Sequence, residues 1–213
     1  MSFSSTLDWP AIAAVLSASA IGVAIPGANF VAIANKALIA SRREAVYMSC
    51  GFALVNSLWA VFGIIGASAL IAGHAWLGWA LKMLGCGYLF WFGLRLVRTA
   101  SGPAFATATS AAGATPMGRG AFRQGVALNI VNPKSLLYYC AFLSGVVPAT
   151  ASGATVTAMV LAVGACAVVW YSSLGYLLSF PQVSARFRRS LHAINRACGV
   201  LLMTLGLFEM FGG

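Results

Sequence analysis

Six long apolar stretches, joined by short polar connections, make up most of this sequence. They run from Pro10 to Ile39, from Tyr47 to Ala72, from Trp76 to Val97, from Gly120 to Val147, from Ala154 to Phe180 and from Ala193 to Phe211. Each is long enough to cross the ~30 Å hydrocarbon core of a bilayer, which takes about 20 helical residues. Because the stretches are continuously apolar, they predict helices and not strands. We therefore expect an all-α integral membrane protein with six transmembrane helices.

The composition excludes soluble classes of protein. Charged residues make up 8% of the chain, whereas a soluble domain carries roughly 25%. A hydrophobic content of 61% also excludes disorder, which needs low hydrophobicity. The net charge of +10 is spread over short clusters between the apolar stretches, a pattern typical of loops at an anionic membrane face. We therefore expect membrane lipid, and no nucleic acid, as a partner.

The basic residues alternate between connections. They cluster after the first stretch, around the central connection and before the sixth stretch, and the other connections have no Lys or Arg. The clustered residues are Lys36, Arg42, Arg43, Arg95, Arg98, Arg119, Arg123, Arg186, Arg188, Arg189 and Arg196. The positive-inside rule therefore predicts three cytoplasmic connections and both termini on the outer, periplasmic side.

The central connection divides the chain into two halves. It runs from Thr99 to Gly118 and consists almost wholly of Ala, Ser, Thr, Gly and Pro, a composition typical of a flexible linker. We predict a first three-helix repeat over residues 1–98, a cytoplasmic linker over 99–118 and a second three-helix repeat over 119–213. Because each half has an odd number of spans, the halves insert with opposite orientation, as in the 3+3 inverted repeats of secondary transporters.

Two prolines lie at matched depth in equivalent spans of the two halves. Pro26 lies ten residues before Lys36, and Pro133 lies ten residues after Arg123, which places both ~15 Å from the cytoplasmic edge. A proline interrupts the helix and frees backbone groups that hydrocarbon cannot satisfy. We therefore predict that helices 1 and 4 are broken at Pro26 and Pro133, with half-helix ends that suit a substrate carboxylate. A plain structural kink is the alternative.

Two lysines lie inside apolar stretches. Lys134 follows Pro133 near the bilayer centre, where a cation costs roughly 2.5 to 3.5 kcal/mol on insertion scales. Because no acidic residue lies in the middle of any stretch, we predict that Lys134 faces a polar cavity and pairs with a substrate carboxylate. Lys82 lies near Trp76 at the outer end of the third stretch, where it is a candidate for the vestibule or for coupling. Snorkelling to the interface, or pairing with Glu209, is its alternative role.

Several asparagines lie within the same stretches, among them Asn29, Asn56, Asn129 and Asn132. Their side chains donate and accept hydrogen bonds, as an amino-acid ligand requires, although hydrogen bonding between helices explains them equally well. The predicted substrate-binding residues are Pro26, Gly27, Asn29, Asn56, Asn132, Pro133 and Lys134.

No group of residues in the sequence resembles a catalytic or metal-binding site. The two histidines, His74 and His192, lie in or beside connections, away from any buried serine. The five cysteines occur singly and form no C-x-x-C pair. We therefore expect no enzymatic activity, no metal and no cofactor. We expect Asp8 and Glu44 to be solvated, and the aromatic residues to be mostly lipid-facing or interfacial.

Five segments match, in order along nearly the whole chain, the signatures of one family. They are Pro26-Gly27-Ala28-Asn29-Phe30, Ser41-Arg42-Arg43, Gly51 to Trp59, Leu81-Lys82-Met83-Leu84-Gly85, and Phe122-Arg123-Gln124-Gly125 with the following Asn129 and Asn132-Pro133-Lys134. In these segments the sequence resembles the lysine-exporter (LysE/RhtB-type) family of bacterial amino-acid efflux proteins. The resemblance implies an exporter of amino acids or close derivatives in the bacterial plasma (inner) membrane, driven by the proton-motive force.

One departure from the family pattern concerns the coupling proton. Family members often carry Asp where this sequence has Asn56. The alternatives are coupling through protonation of the substrate, coupling through Lys134 or Lys82, and passive transport. The lack of a mid-membrane acid favours neutral or anionic substrates over dibasic ones.

Two other functions compete with export. They are a non-transporting assembly or partner protein and a passive small-solute channel. The small residues throughout the spans are also compatible with a homo-oligomer.

Overall fold

A computed structural model describes residues 7–66, 75–98, 118–148 and 150–211 of this protein, and this part is helical without a strand. Its helices are α1 (Trp9–Ala24), α2 (Ala28–Ile39), α3 (Arg42–Val61), α4 (Ala75–Arg98), α5 (Arg119–Ile130), α6 (Pro133–Val146), α7 (Gly153–Leu178) and α8 (Pro181–Phe211). A π-helical turn over Phe62–Gly66 extends α3. The predicted all-α class is therefore confirmed for these residues. The predicted linker, apart from Gly118, lies outside them.

Three single helices among the described residues are long and apolar enough to cross a membrane, namely Arg42–Ile64, Gly153–Leu178 and Arg189–Phe208. The pair α1 and α2 meets the same criteria together, although its two members are bent by 62° at their junction. Length and composition thus support three to four spans. The arrangement of six spans stays a prediction.

The outer surface of the helices is rich in large apolar side chains, as a protein in lipid requires. Side chains more than half exposed include Trp9, Leu58, Trp76, Trp79, Leu84, Trp91, Leu161, Val169, Phe208 and Phe211. In water such a surface would drive aggregation. The exposed apolar faces therefore agree with the membrane location that the composition predicts.

Side-chain caps fix where two of the long helices begin. The Asp8 carboxylate accepts a hydrogen bond from the backbone N–H of Ala11 at 3.0 Å and caps α1. The Ser152 hydroxyl accepts one from the N–H of Thr155 at 3.2 Å and caps α7. The Asp8 N–H in turn donates to the Thr155 hydroxyl at 3.3 Å, so the capped ends of the two helices lie together. Asp8 is half-buried and serves as a cap.

Glycines bring two pairs of helices into backbone contact. A methyl group on Gly93 of α4 would lie 2.5 Å from the Gly199 carbonyl oxygen of α8, and one on Gly199 would lie 2.6 Å from the Gly93 carbonyl oxygen. Gly51 of α3 and Gly125 of α5 also lie against each other, with 3.1 Å between a Cβ on Gly51 and the Gly125 carbonyl carbon and 3.3 Å between a Cβ on Gly125 and the Gly51 Cα. Only residues without side chains permit this approach, which is typical of membrane helix pairs.

Two side chains near the start of α3 contact the second half of the chain. The buried Glu44 carboxylate accepts from the Gly118 N–H at 2.8 and 3.0 Å, so the prediction that Glu44 is solvated is wrong. Glu44 lies in the first turn of α3, and the Gly118 end of the linker packs against its carboxylate. Arg42 donates to the Ser179 hydroxyl at 2.6 Å, and its guanidinium lies over the Tyr176 ring. These contacts hold α3 against α5 and α7.

Candidate functional site

The first helix break lies between α1 and α2. Helix α1 ends at Ala24, α2 begins at Ala28, and the buried Pro26 lies in the gap. In an unbroken helix the carbonyl of Gly22 would accept from the N–H of residue 26. Proline has no N–H, so that carbonyl needs another donor.

Lys134 supplies that donor from the other half of the chain. Its ammonium nitrogen donates to the Gly22 carbonyl oxygen at 3.0 Å and to the Ile25 carbonyl oxygen at 2.6 Å. The side chain is buried, with 7% of its surface exposed. Since carbonyls at the C-terminal end of a helix carry the negative end of its dipole, a cation is stabilised there. Lys134 therefore caps α1 without a carboxylate partner among the described side chains.

Gly27 separates this ammonium from the start of α2. It is the N-cap residue of α2, and no side chain caps the first N–H groups of that helix. A Cβ at Gly27 would lie 3.3 Å from Lys134 Cδ and 3.9 Å from the Phe92 ring, so a larger residue would crowd the lysine. The uncapped N–H groups form an end that favours an anion. The first break thus presents carbonyl oxygens and N–H groups a few residues apart.

The second break, between α5 and α6, is capped locally. Helix α5 ends at Ile130 and α6 begins at Pro133. The Asn132 side-chain oxygen accepts from the Lys134 backbone N–H at 3.1 Å, which makes Asn132 the N-cap. Pro133 is the first helical residue, where its missing N–H costs nothing. The ring of Pro133 is exposed, so its role is in helix initiation.

Four buried asparagine side chains connect the two breaks. Asn29 donates to Asn129 at 2.8 Å, Asn129 donates to Asn56 at 2.8 Å, and Asn132 donates to Asn29 at 3.0 Å. The Asn129 amide also donates to the Phe52 carbonyl at 2.9 Å. We call Asn29, Asn56, Asn129 and Asn132 the amide network. It joins α2 and α3 of the first half to α5 and the start of α6 in the second.

Three members of the amide network, Asn29, Asn56 and Asn132, line one cavity together with Lys134. Its lining also includes Gly22, Val23, Ile25, Gly27, Phe30, Ser135, Tyr138, Tyr139 and Tyr171. The volume is about 10 Å³, roughly the space of one water molecule. The cavity therefore has room for about one water molecule beside its polar groups.

The structure brings five predicted site residues to this cavity, namely Gly27, Asn29, Asn56, Asn132 and Lys134. Pro26 and Pro133 lie at the two breaks and are not part of the lining. The side chain of Lys82 lies outside what the structure describes, although its backbone belongs to α4.

Sequence reasoning missed several contributors to the site. Asn129, the centre of the amide network, was not among the predicted binding residues, although its position three residues before Asn132 was a signal. Tyr138, Tyr139 and Tyr171 are buried at the cavity, so the expectation of lipid-facing aromatics is wrong for these three. The Tyr138 hydroxyl donates to the Ala18 carbonyl, which explains how a phenol is held inside the protein.

Comparisons with known proteins agree with the sequence resemblance. The model of the LysE type translocator family matches residues 20–212. The chemotactic transduction protein ChpE of Pseudomonas aeruginosa is 30% identical over 207 residues, which cover 94% of this chain and 97% of that protein.

Threonine efflux proteins are also similar to this chain. That of Escherichia coli K12 is 24% identical over 186 residues, with 85% of this chain and 88% of the relative covered. That of Salmonella typhi is 24% identical over 182 residues, with the same coverage.

No solved structure matches the chain. The family match spans most of the chain and, together with the apolar helices, supports a bacterial inner-membrane protein that transports and does not catalyse. The chain belongs to the LysE type translocator family.

Proposed function

We propose that this protein is a secondary transporter that exports amino acids or close derivatives across the plasma membrane, driven by the proton-motive force. The observation that carries this proposal is the small polar cavity between the two helix breaks, with Lys134, Asn29, Asn56 and Asn132 in its wall. In the proposed arrangement α1 with α2, and α5 with α6, are equivalent broken spans of a 3+3 inverted repeat. Both termini then lie on the periplasmic side.

The chemistry of the first break suits a zwitterion. The uncapped N–H groups at the start of α2 would bind the substrate carboxylate, and the oxygens of the break and the amide network would accept from its ammonium group. Lys134 and Asn56, which both line the cavity, would contact the bound molecule. Among the described side chains no carboxylate lines the cavity, which favours neutral amino acids over dibasic ones. The threonine efflux relatives export a substrate of this neutral class.

Alternating access would follow from separation of the halves. A cavity of about 10 Å³ has no room for an amino acid, so the amide network must open for a substrate to enter. Three of its bonds cross between the halves, from Asn129 to Asn29 and Asn56 and from Asn132 to Asn29. A rocking motion of one half against the other would break and remake these bonds.

Efflux from cells preloaded with a panel of labelled amino acids tests the proposal. Cells with the wild-type protein should release one class of amino acid faster than empty cells, and Lys134→Met should abolish this release at equal membrane abundance. As a matched control, Lys36→Met changes a buried lysine that does not line the cavity and should retain efflux. Equal release from all strains would refute amino-acid export.

A second candidate function has support from the ChpE relative, whose name describes chemotactic transduction. A non-transporting partner protein would use the buried Lys134 and the amide network to hold a closed structure, without substrate. It predicts no amino-acid efflux and a purified protein that is unstable alone. A passive channel is distinguished by flux that persists after the proton gradient is collapsed.

A further inference from the structure

The Lys134 ammonium lies where a cationic group of a ligand would bind. Its nitrogen donates to the Gly22 and Ile25 carbonyl oxygens at 3.0 and 2.6 Å. Such carbonyls, at the interrupted end of a transmembrane helix, are the groups that coordinate cations in transporters with broken helices. In this protein the cation belongs to the chain itself and reaches α1 from the first turn of α6.

This contact depends on the proton that Lys134 carries. An ammonium group has three donors and a positive charge, and its charge-assisted hydrogen bonds are roughly twice as strong as neutral ones. Loss of the proton removes the charge and one donor, so the tie between α6 and the end of α1 weakens. Among the described side chains no carboxylate lines the cavity to hold the charge in another way.

Among the described residues, the other titratable groups near Lys134 are a thiol and three phenols. The thiol of Cys198 in α8 interacts with it electrostatically, Tyr138 and Tyr139 lie on its own helix, and Tyr171 belongs to α7. Helix α4 contributes the apolar ring of Phe92, which lies beside Gly27 as Lys134 does. Thiols and phenols become charged only in alkaline solution. Lys134 is therefore the described cavity residue that is charged in the empty site, and a second cation beside it favours the release of its proton.

We propose that Lys134 and the substrate ammonium compete for the carbonyl oxygens of Gly22 and Ile25, and that the proton released by Lys134 is the one exchanged for the substrate. This inference rests on the proposed export function. On the cytoplasmic side the substrate ammonium takes the two carbonyls, and the Lys134 ammonium becomes an amine as its proton passes to water. On the periplasmic side the substrate leaves, and a proton from that side restores the ammonium.

The competition explains how export can be coupled although Asn56 stands where family members often carry Asp. For each zwitterion that moves outward, a proton moves inward, so both the pH gradient and the membrane potential drive export. The small cavity then corresponds to the empty, protonated carrier, in which the protein's own cation bonds the broken end of α1.

Substrate-induced proton release tests the proposal. The purified full-length protein in nanodiscs is mixed with L-threonine, and then with other neutral amino acids, in weakly buffered solution near neutral pH. A pH dye records released protons, and calorimetry records binding. The wild-type protein should release protons in proportion to the substrate bound. Lys134→Arg keeps the cation but does not give up its proton, so it should release none and bind at least about tenfold more weakly.

The outcomes separate this inference from the proposed function. Binding without proton release by the wild-type protein, or undiminished release by Lys134→Arg, would overturn the inference alone. Cys198→Ser should release protons as the wild type does, and loss of release there would assign the proton to the thiol. If no amino acid binds, the proposed function fails and this inference falls with it.

A second measurement does not depend on the folding of the Lys134→Arg variant. Competition predicts that the affinity of the wild-type protein for threonine rises about tenfold per pH unit while Lys134 is protonated, since binding then expels a proton. An affinity that does not change with pH would contradict the competition.

Discussion

The two helix breaks look equivalent in sequence, but they are stabilised in different ways. At the second break Asn132 caps α6 with its own side chain, and Pro133 fills the first helical position. At the first break the Gly22 and Ile25 carbonyls accept from Lys134, a residue more than one hundred positions away in the other half. The second break is therefore capped within its own segment, whereas the first is capped only while the two halves are together. A transporter that works by moving its halves needs such a conditional contact.

Removing the proline at each break tests this difference most directly. Pro26→Ala restores an N–H to residue 26, which can bond the Gly22 carbonyl, so α1 and α2 can join into a continuous helix. Lys134 then loses a partner, and we expect efflux to fall at least tenfold while the protein stays folded. Pro133→Ala is the matched control, because proline at the first helical position only preorganises the helix. Efflux and thermal unfolding of both variants provide the readout, and equal effects of the two would contradict the asymmetry.

Asn129→Ala tests the connection between the two breaks. The change removes the hydrogen bonds to Asn29, Asn56 and the Phe52 carbonyl, and each buried polar group left unpaired costs about 1–3 kcal/mol. We expect roughly tenfold slower efflux and a lower unfolding temperature. Asn35→Ala changes an asparagine of α2 that is outside the amide network, and it should have little effect. Normal efflux by Asn129→Ala would show that the amide network does not position the two halves.

Gly27→Ala addresses the fit of Lys134 within the first break. The added methyl group would lie 3.3 Å from Lys134 Cδ, so the lysine must shift by a few tenths of an ångström. Overpacking of this kind costs about 1–3 kcal/mol, and we expect efflux to drop several-fold with little loss of abundance. Gly87→Ala adds the same methyl group where nothing lies within 4 Å and should match the wild type. The efflux rates of the two variants are compared at equal abundance. Equal rates would show that the space beside Gly27 does not determine the position of Lys134.

The sequence predicted the chemistry of the site better than its contacts. Gly27, Asn29, Asn56, Asn132 and Lys134 meet at one cavity, because polar residues inside apolar spans are costly unless they face one another or a ligand. Their partners were harder to predict. The oxygens that bind Lys134 belong to the backbone, and residue types carry no information about which carbonyls a distant helix break leaves free.

The same limit explains the predictions that failed. Glu44 was expected to be solvated because it lies at the end of an apolar stretch, but its burial depends on the position of Gly118 at the far end of the linker. Tyr138 and Tyr171 belong to apolar stretches in which every face has similar hydrophobicity. The inner face of such a helix is decided by packing between helices, and periodicity along one stretch does not reveal it.

Two substitutions of Asn132 give the smallest expected effect and the finest test of the second break. Asn132→Ser keeps an oxygen that can cap α6 but loses the bond to Asn29; Asn132→Ala loses both. Loss of an N-cap costs about 1 kcal/mol, so Ala should lower the unfolding temperature by a few degrees more than Ser does. Efflux should fall by a similar, modest factor in both, because both lose the link to Asn29. If Ser were as unstable as Ala, the second break would depend on the other half as the first does, and the contrast between the two breaks would disappear.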